Sequence, residues 1–247
     1  MRYFLEHSYD GTNYHGWQRQ PNAISIQEVL EGALSTLLRK DVAIVGAGRT
    51  DTGVHARQIM AHFDHLKELD ADQLRHRLNS ILPIDIAIQK VYLVKEDAHA
   101  RFDAISRSYE YYVNLRKDPF SVHKSYYYKK ILDVDAMNEA AKLLLNYTNF
   151  KCFSKSKTDV KTYNCTITNV SWENKGDQLV FKISANRFLR NMVRALVGTL
   201  IEIGENKLNN EGLLAIIKSE DRSKAGYSVP AHGLYLTAVE YPQKIVE

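Results

Sequence analysis

One segment of the sequence concentrates residue types that carry out nucleophilic or acid–base chemistry, Gly46 to Ala56 (GAGRTDTGVHA). Its three glycines within eight residues predict a loop whose backbone can approach a ligand closely. Asp51 follows Arg49 by two residues and precedes His55 by four. The Asp51 carboxylate could act as a nucleophile or a general base, and a contact with Arg49 would keep it ionised. Alternatively, Asp51 could only stabilise a turn through hydrogen bonds to local backbone amides.

The glycine pattern of this loop does not match the common phosphate-binding motifs. The Gly-Lys-Ser/Thr of a Walker A loop is absent, and Asp51 stands where a dinucleotide-binding Gly-x-Gly-x-x-Gly has its third glycine. A metal-dependent phosphohydrolase is an alternative, with four side chains available to it: Asp51, His55, His62 and Asp64. No tight ligand spacing such as His-Glu-x-x-His is present. The histidines and Asp64 are explained more simply as solvated residues at the end of a strand, and we predict no metal site.

Aromatic and basic residues alternate at the start of the second half of the chain. Arg107, Tyr109 and Tyr111 would share one face of a strand. Such a face can stack on unpaired bases, which is worth about 1–3 kcal/mol per base. Ordinary β-propensity on a half-buried sheet explains the tyrosines equally well.

Three arginines, Arg187, Arg190 and Arg194, recur at steps of three and four residues around the start of an apolar helix. Solvated charges are the ordinary explanation of such a spacing. The turns that follow are apolar on nearly all sides, so we expect Arg194 either to reach the surface or to pair with an acid.

Hydrophobic periodicity predicts the elements that must position these segments. Ser25 begins a capping box, and apolar residues follow it at helical steps up to Leu38. Further helices are predicted at 70–82, 135–145, 192–203 and 211–218, and strands at 2–9, 58–64, 86–94, 107–115, 165–173, 178–185 and 233–241. Both halves resemble β-α-β-α-β units, which predicts an α+β fold with helices packed on antiparallel sheet. The open sheet face would suit a flat or extended ligand such as RNA.

Composition places the chain among globular proteins of one or two domains. It has 247 residues, 45% of them hydrophobic and 25% charged, with two cysteines, which are too few for a disulfide framework. No run resembles a signal peptide or a membrane helix, so we expect a cytoplasmic protein that does not enter membranes.

Residues 1–105 carry 12 Lys and Arg against 14 Asp and Glu, whereas residues 106–247 carry 21 against 15. This shift and the repeated pattern predict domains at 1–104 and 105–247, the second being the better candidate for binding a polyanion.

The chain resembles the tRNA pseudouridine synthase A family in six ordered stretches, which are Tyr9–Gln20 (YDGTNYHGWQRQ), Gly46–Ala56, His99–Ala104 (HARFDA), Arg107–Tyr111 (RSYEY), Asn186–Arg194 (NRFLRNMVR) and Gly233–Val239 (GLYLTAV). They extend over nearly the whole sequence, and Gly-Arg-Thr-Asp-x-Gly-Val-His-Ala is highly specific. Six matches in the same order make a coincidence implausible.

This resemblance implies roles for five residues. Asp51 would be the catalytic aspartate, and Arg49 would help open the RNA stem and hold the flipped nucleotide. Tyr109 would stack on the target uracil. Arg194 would pair with the aspartate, and Leu234 would line the uracil pocket.

The resemblance also implies an architecture and a substrate. The fold would consist of two ferredoxin-like (RRM-like) halves whose antiparallel sheets join beneath a central cleft. Members of the family are homodimers that grip one tRNA and modify uridines of its anticodon arm, at tRNA positions 38, 39 and 40. The reaction needs no cofactor. A non-catalytic RNA-binding module of the same fold is the remaining alternative, although it would have no use for the loop around Asp51.

Overall fold

A computed structural model describes residues 1–156 and 160–245 of the chain. The described residues form nine β-strands, which are β1 (Arg2–Tyr9), β2 (Val45–Gly46), β3 (His55–Asp64), β4 (Ile86–Val94), β5 (Ser106–Asn114), β6 (Tyr126–Tyr127), β7 (Ile167–Lys175), β8 (Gln178–Ala185) and β9 (Leu234–Glu240). They also form five α-helices, which are α1 (Ile26–Leu38), α2 (Ala71–Ile81), α3 (Val134–Leu143), α4 (Met192–Gly204) and α5 (Asn210–Ser219). The protein is therefore a mixed α/β protein, and its strands pair mostly antiparallel.

The chain divides into two compact units, Met1–Ser106 with Tyr235–Glu247, and Arg107–Leu234. The C-terminal residues thus belong to the first unit, although the sequence pattern groups them with the second half of the chain. The cause is a long-range pairing: β9 lies parallel to β3, with Tyr235 opposite His55 and Leu236 opposite Ala56. Nothing in the local sequence of β9 specifies that partner.

The first unit is built on the strand order β4-β1-β3-β9, with β2 added beside β3. Strand β1 is antiparallel to both β3 and β4. Helix α1 begins where the capping box predicts, since the Ser25 hydroxyl accepts the Glu28 N–H at 3.3 Å. The Asp70 side chain caps α2 in the same way through the Gln73 N–H at 2.9 Å. Both helices bury one apolar side, for example Leu30 and Leu34 of α1.

The second unit is built on the strand order β5-β8-β7, with β6 parallel to β5. Strands β7 and β8 form the predicted hairpin around residues 174–177. Helix α4 is buried over almost its whole length, as its apolar sequence requires, and only Arg194 and Glu202 are partly exposed. These elements fix the position of Arg194 relative to the rest of its unit.

All the predicted helices and strands are confirmed, with small differences in their limits. The strand predicted from Gln58 begins at His55, because pairing with β9 extends it toward the glycine-rich loop. Strands β2 and β6 are absent from the prediction, since two residues carry no periodicity. Within the described residues, no helix is long and apolar enough to span a bilayer.

Candidate active site

Asp51 lies in a loop between β2 and β3 that we call the aspartate loop (residues 47–54). The loop starts where the Ala47 N–H donates to the Met60 carbonyl at 2.7 Å. It ends in a turn in which the Val54 N–H donates to the Asp51 carbonyl at 3.1 Å, with Gly53 at a positive φ of 76°. The Asp51 side chain is half-buried and that of Arg49 is exposed. The loop therefore presents both residues at a surface of the first unit.

A second segment, Tyr14 to Trp17, holds the aspartate loop by its backbone. The Trp17 N–H donates to the Thr50 carbonyl, and the Gly53 N–H donates to the Tyr14 carbonyl, both at 3.3 Å. Gly16, between them, has a φ of +86°, and a Cβ there would lie 2.4 Å from the Thr50 carbonyl oxygen. Only glycine allows this approach, so the two segments fix the residues on both sides of Asp51.

Side chains from β1 and β3 secure the same loop. The Tyr9 hydroxyl is hydrogen-bonded to the Thr50 hydroxyl at 2.8 Å. The buried His55 places Nδ1 3.0 Å from the Gly11 N–H and 2.9 Å from a carboxylate oxygen of Asp10. One ring nitrogen cannot serve both at once: without a proton it accepts from Gly11, and with a proton it donates to Asp10. Either state ties the start of β3 to the turn after β1.

His7 and Trp17 form a buried pair beneath this arrangement. The indole Nε1–H of Trp17 donates to Nε2 of His7 at 3.2 Å. Burial lowers the pKa of His7 to about 4, so the ring is neutral near neutral pH. Sequence reasoning missed this contact because the two residues lie ten positions apart with no periodic relation. The sequence offered one sign of it, which was Trp17 itself: a tryptophan within the specific stretch Tyr9–Gln20 for which no role had been found.

In the second unit, Tyr109 lies on β5 opposite Ile183 of β8. Its half-buried ring meets Phe188 edge to face, with 5.1 Å between the ring centroids. Beside it, an Arg107 guanidinium nitrogen donates to the Asn186 carbonyl at 2.9 Å. Arg107 and Tyr109 are therefore partly exposed on this strand, and Phe188 restricts one side of the Tyr109 ring. Tyr111, the third residue of the predicted face, is fully buried and cannot stack on a base.

Arg194 is held by the loop that leads to β9. Its Nε donates to the Val229 carbonyl at 2.7 Å, and the Val229 N–H donates to the Arg194 carbonyl at 3.2 Å. The Tyr111 hydroxyl donates to the Pro230 carbonyl of the same loop at 2.8 Å. Burial raises the pKa of Tyr111 well above its ordinary value, so this hydroxyl stays protonated as a donor.

Leu234 follows this loop and is buried. Just before it, a Cβ at Gly233 would lie 2.7 Å from the Tyr111 ring, so the chain passes directly over that tyrosine. The loop from 229 to 234 thus connects Arg194 and Leu234 to β5, the strand that also carries Tyr109. Asp51 and Arg49 belong to the first unit, and Tyr109, Arg194 and Leu234 belong to the second.

The side chains of the alternative metal site have other partners. His62 Nδ1 accepts the Ala100 N–H at 3.1 Å, and Asp64 forms two hydrogen bonds with Arg2 at 2.8 and 2.9 Å. Over residues 1–156 and 160–245, no group of three or more His, Cys, Asp or Glu side chains could hold a metal ion.

Comparison with known proteins gives matches over the whole chain. A family model described as tRNA pseudouridine synthase matches residues 7–103 and 140–242. A tRNA pseudouridine synthase A from Bacteroides thetaiotaomicron is 53% identical over 248 residues, covering 99% of this chain and 92% of that protein. Its counterpart from Bacteroides fragilis is 53% identical over 249 residues, covering 100% and 99%. A more distant relative, tRNA pseudouridine synthase A 2 from Clostridium perfringens, is 41% identical over 235 residues, covering 94% and 96%.

Proposed function

The chain belongs to the tRNA pseudouridine synthase family, and from this premise we propose that it modifies the anticodon arm of tRNA, at tRNA positions 38, 39 and 40, with Asp51 as its catalytic residue. As a member of this family it is an isomerase that converts uridine in tRNA to pseudouridine. The choice of uridines and the residue roles below belong to the proposal.

The chemistry suits a single carboxylate. Pseudouridine formation breaks the bond between C1′ and N1, turns the uracil and joins C5 to C1′. Nothing is oxidised or hydrolysed overall, so the reaction calls for no redox cofactor. A carboxylate can add to the base, add to the ribose or remove the proton at C2′, and Asp51 could do any of the three.

The fixed backbone of the aspartate loop is the observation that carries this proposal. Backbone hydrogen bonds tie Thr50 and Gly53 to the segment 14–17, so the residues on each side of Asp51 are held without help from substrate. A reacting carboxylate benefits from such preorganisation, because a misplacement of about 1 Å can lower the rate about a hundredfold. A loop that served only as a turn would gain nothing from this precision.

The target nucleotide would have to leave its stacked stem before it reaches Asp51. Extrusion costs a few kcal/mol, and stacking on one aromatic side chain returns about 1–3 kcal/mol. We propose that the exposed Arg49 enters the stem and that Tyr109 stacks on the uracil. Arg194 would pair with Asp51, and Leu234 would form part of the uracil pocket.

We further propose the architecture that the resemblance implies. Two ferredoxin-like halves would join their sheets beneath a cleft, with the more basic second half contacting phosphates of the anticodon stem-loop. Two copies of the chain would form a homodimer, which doubles that basic surface. The cytoplasm would be the place of action.

Tritium release from tRNA labelled with 5-³H-uridine tests the role of Asp51. We expect Asp51→Asn to bind tRNA normally and to release no tritium. Asp72→Asn is the matched control, because Asp72 is 92% exposed on α2 and its ion pair with Arg75 is 3.5 Å long, so activity should be unchanged. Turnover by Asp51→Asn would remove Asp51 from the mechanism. Failure of the unaltered protein to release tritium would favour the non-catalytic RNA-binding module.

A further inference from the structure

The buried pair of His7 and Trp17 has a fixed hydrogen-bonding direction. His7 is fully inaccessible to solvent, and its Nδ1 lies 3.2 Å from the carbonyl oxygen of Leu5. A carbonyl oxygen can only accept, so Nδ1 carries the ring proton and Nε2 remains as an acceptor. The Trp17 indole supplies the donor for that nitrogen. The low pKa of His7 agrees with a neutral ring, which keeps Nε2 available.

Trp17 contacts the polypeptide at two points on the N-terminal side of Asp51. Its ring lies directly on Gly46, where a Cβ would be only 2.5 Å from ring carbons Cη2 and Cζ2. Its backbone N–H donates to the carbonyl of Thr50, the residue before Asp51. A movement of Trp17 would therefore disturb Gly46, just before the aspartate loop, and the hydrogen bond to Thr50 within the loop.

We propose that His7 is a positioning residue: by accepting the indole hydrogen bond it fixes Trp17, and through Trp17 it holds the aspartate loop where Asp51 can react. This inference rests on the proposed function, because it takes Asp51 as the catalytic residue. His7 itself touches neither substrate nor reacting atoms, since its side chain is fully buried. Its effect is on the geometry of the loop.

Loss of the His7 acceptor would displace Trp17. An indole N–H that is buried without an acceptor is strongly unfavourable, so the ring would turn or shift toward another oxygen. The ring already lies against Gly46, just before the aspartate loop, and the Trp17 backbone is bonded to Thr50 within it. The displacement would pass to Thr50 and change the position of Asp51.

Three substitutions separate this role from simple stabilisation. His7→Phe keeps an aromatic ring but removes the acceptor, whereas His7→Gln supplies an amide oxygen that can accept the indole N–H. His62→Phe is the matched control: His62 is also buried in the first unit, and its Nδ1 also accepts a hydrogen bond, from Ala100. Each variant is assayed for kcat, KM and tRNA Kd at a temperature at which it is folded.

We expect His7→Phe to lower kcat about ten- to hundredfold with KM and Kd for tRNA unchanged. His7→Gln should recover most of that loss, and His62→Phe should keep kcat even if its Tm falls. The chain has two tryptophans, so Trp172→Phe identifies the Trp17 indole N–H signal in a ¹H–¹⁵N spectrum. That signal should move in His7→Phe and return in His7→Gln.

Two results would overturn the inference. One is a kcat of His7→Phe within about twofold of the unaltered enzyme, and the other is an equal loss of kcat in His7→Phe and His62→Phe. Measuring Asp51→Asn in the same assay shows whether the positioning role of His7 or the catalytic role of Asp51 has been refuted. An inactive Asp51→Asn beside a fully active His7→Phe refutes only the positioning role, whereas an active Asp51→Asn refutes the catalytic aspartate.

Discussion

Gly16→Ala places a single methyl group against the backbone that supports Asp51. Gly16 has a φ of +86°, and the added Cβ would lie 2.4 Å from the Thr50 carbonyl oxygen and 3.2 Å from the carbonyl carbon of Asp51. Ordinary van der Waals contact begins at about 3.4 Å, so the Thr50 carbonyl would have to move by about 1 Å. Both atoms are backbone, and neither can turn aside as a side chain can.

Gly176→Ala is the matched control for the strain at a positive φ. Gly176 has a φ of +70° in the β7–β8 hairpin, and a Cβ there would meet nothing within 4 Å. A residue other than glycine is destabilised by about 1–2 kcal/mol in the left-handed backbone conformation, so both variants should lose this much stability. Gly16→Ala also weakens the hydrogen bond between Trp17 and Thr50, worth about 1 kcal/mol. The free energy of unfolding should therefore fall by about 2–3 kcal/mol in Gly16→Ala and about 1–2 kcal/mol in Gly176→Ala.

The activities should differ more than the stabilities. A shift of about 1 Å beside Asp51, the proposed catalytic carboxylate, should lower kcat about a hundredfold in Gly16→Ala, whereas Gly176→Ala should keep its kcat. Urea unfolding gives the stabilities, and tritium release under single-turnover conditions gives the rates. Equal kcat values for the two folded variants would refute the reasoning that the segment 14–17 positions Asp51.

Three further outcomes follow from the second unit. Arg194→Ala should abolish activity and lower the free energy of unfolding by about 1.5–3 kcal/mol, because a hydrogen bond from a charged donor is lost; an unchanged thermal melt would contradict this. Tyr109→Phe should keep partial activity if the ring only stacks on uracil, and complete loss would show that the hydroxyl takes part in chemistry. Hydrogen bonds from Lys130 and Lys207 lower the pKa of Glu205 to about 2. This carboxylate therefore stabilises the fold above its ordinary pKa of 4.5, and the contribution is lost as the pH falls from about 4.5 toward 2. Tm measured against pH should fall less over that range in Glu205→Gln than in the unaltered protein.

Local interactions explain why the elements could be predicted. Each of these interactions spans only a few residues. Examples are the N-cap of α1 at Ser25, the periodic apolar residues that follow it up to Leu38, and the end of α2 just before Pro83. The hairpin around residues 174–177 is equally local. All of these interactions involve residues that are close in the sequence, so the sequence pattern alone predicts where the helices and strands lie.

Long-range contacts explain what could not be predicted. The placement of β9 beside β3 depends on a partner about 180 residues away in the chain, and no feature of residues 234–240 identifies it. The approach of Gly16 to Thr50 is of the same kind. A glycine with a positive φ is recognisable only once the neighbouring backbone is known.

The candidate site was predicted in part for the same reason. The composition of Gly46 to Ala56 identifies Asp51 and Arg49 as residues that can do chemistry. Their support comes from Trp17 and His7, whose contacts with the loop are set by tertiary folding. Sequence therefore points to candidate reacting groups more readily than it points to the groups that hold them in place.

A map of pseudouridines in tRNA tests the central claim most directly. It compares a strain lacking this gene with the same strain carrying either the unaltered gene or Asp51→Ala. We predict that pseudouridine at tRNA positions 38, 39 and 40 disappears in the deletion, returns with the unaltered gene and stays absent with Asp51→Ala. Return of pseudouridine at these positions with Asp51→Ala would contradict the account.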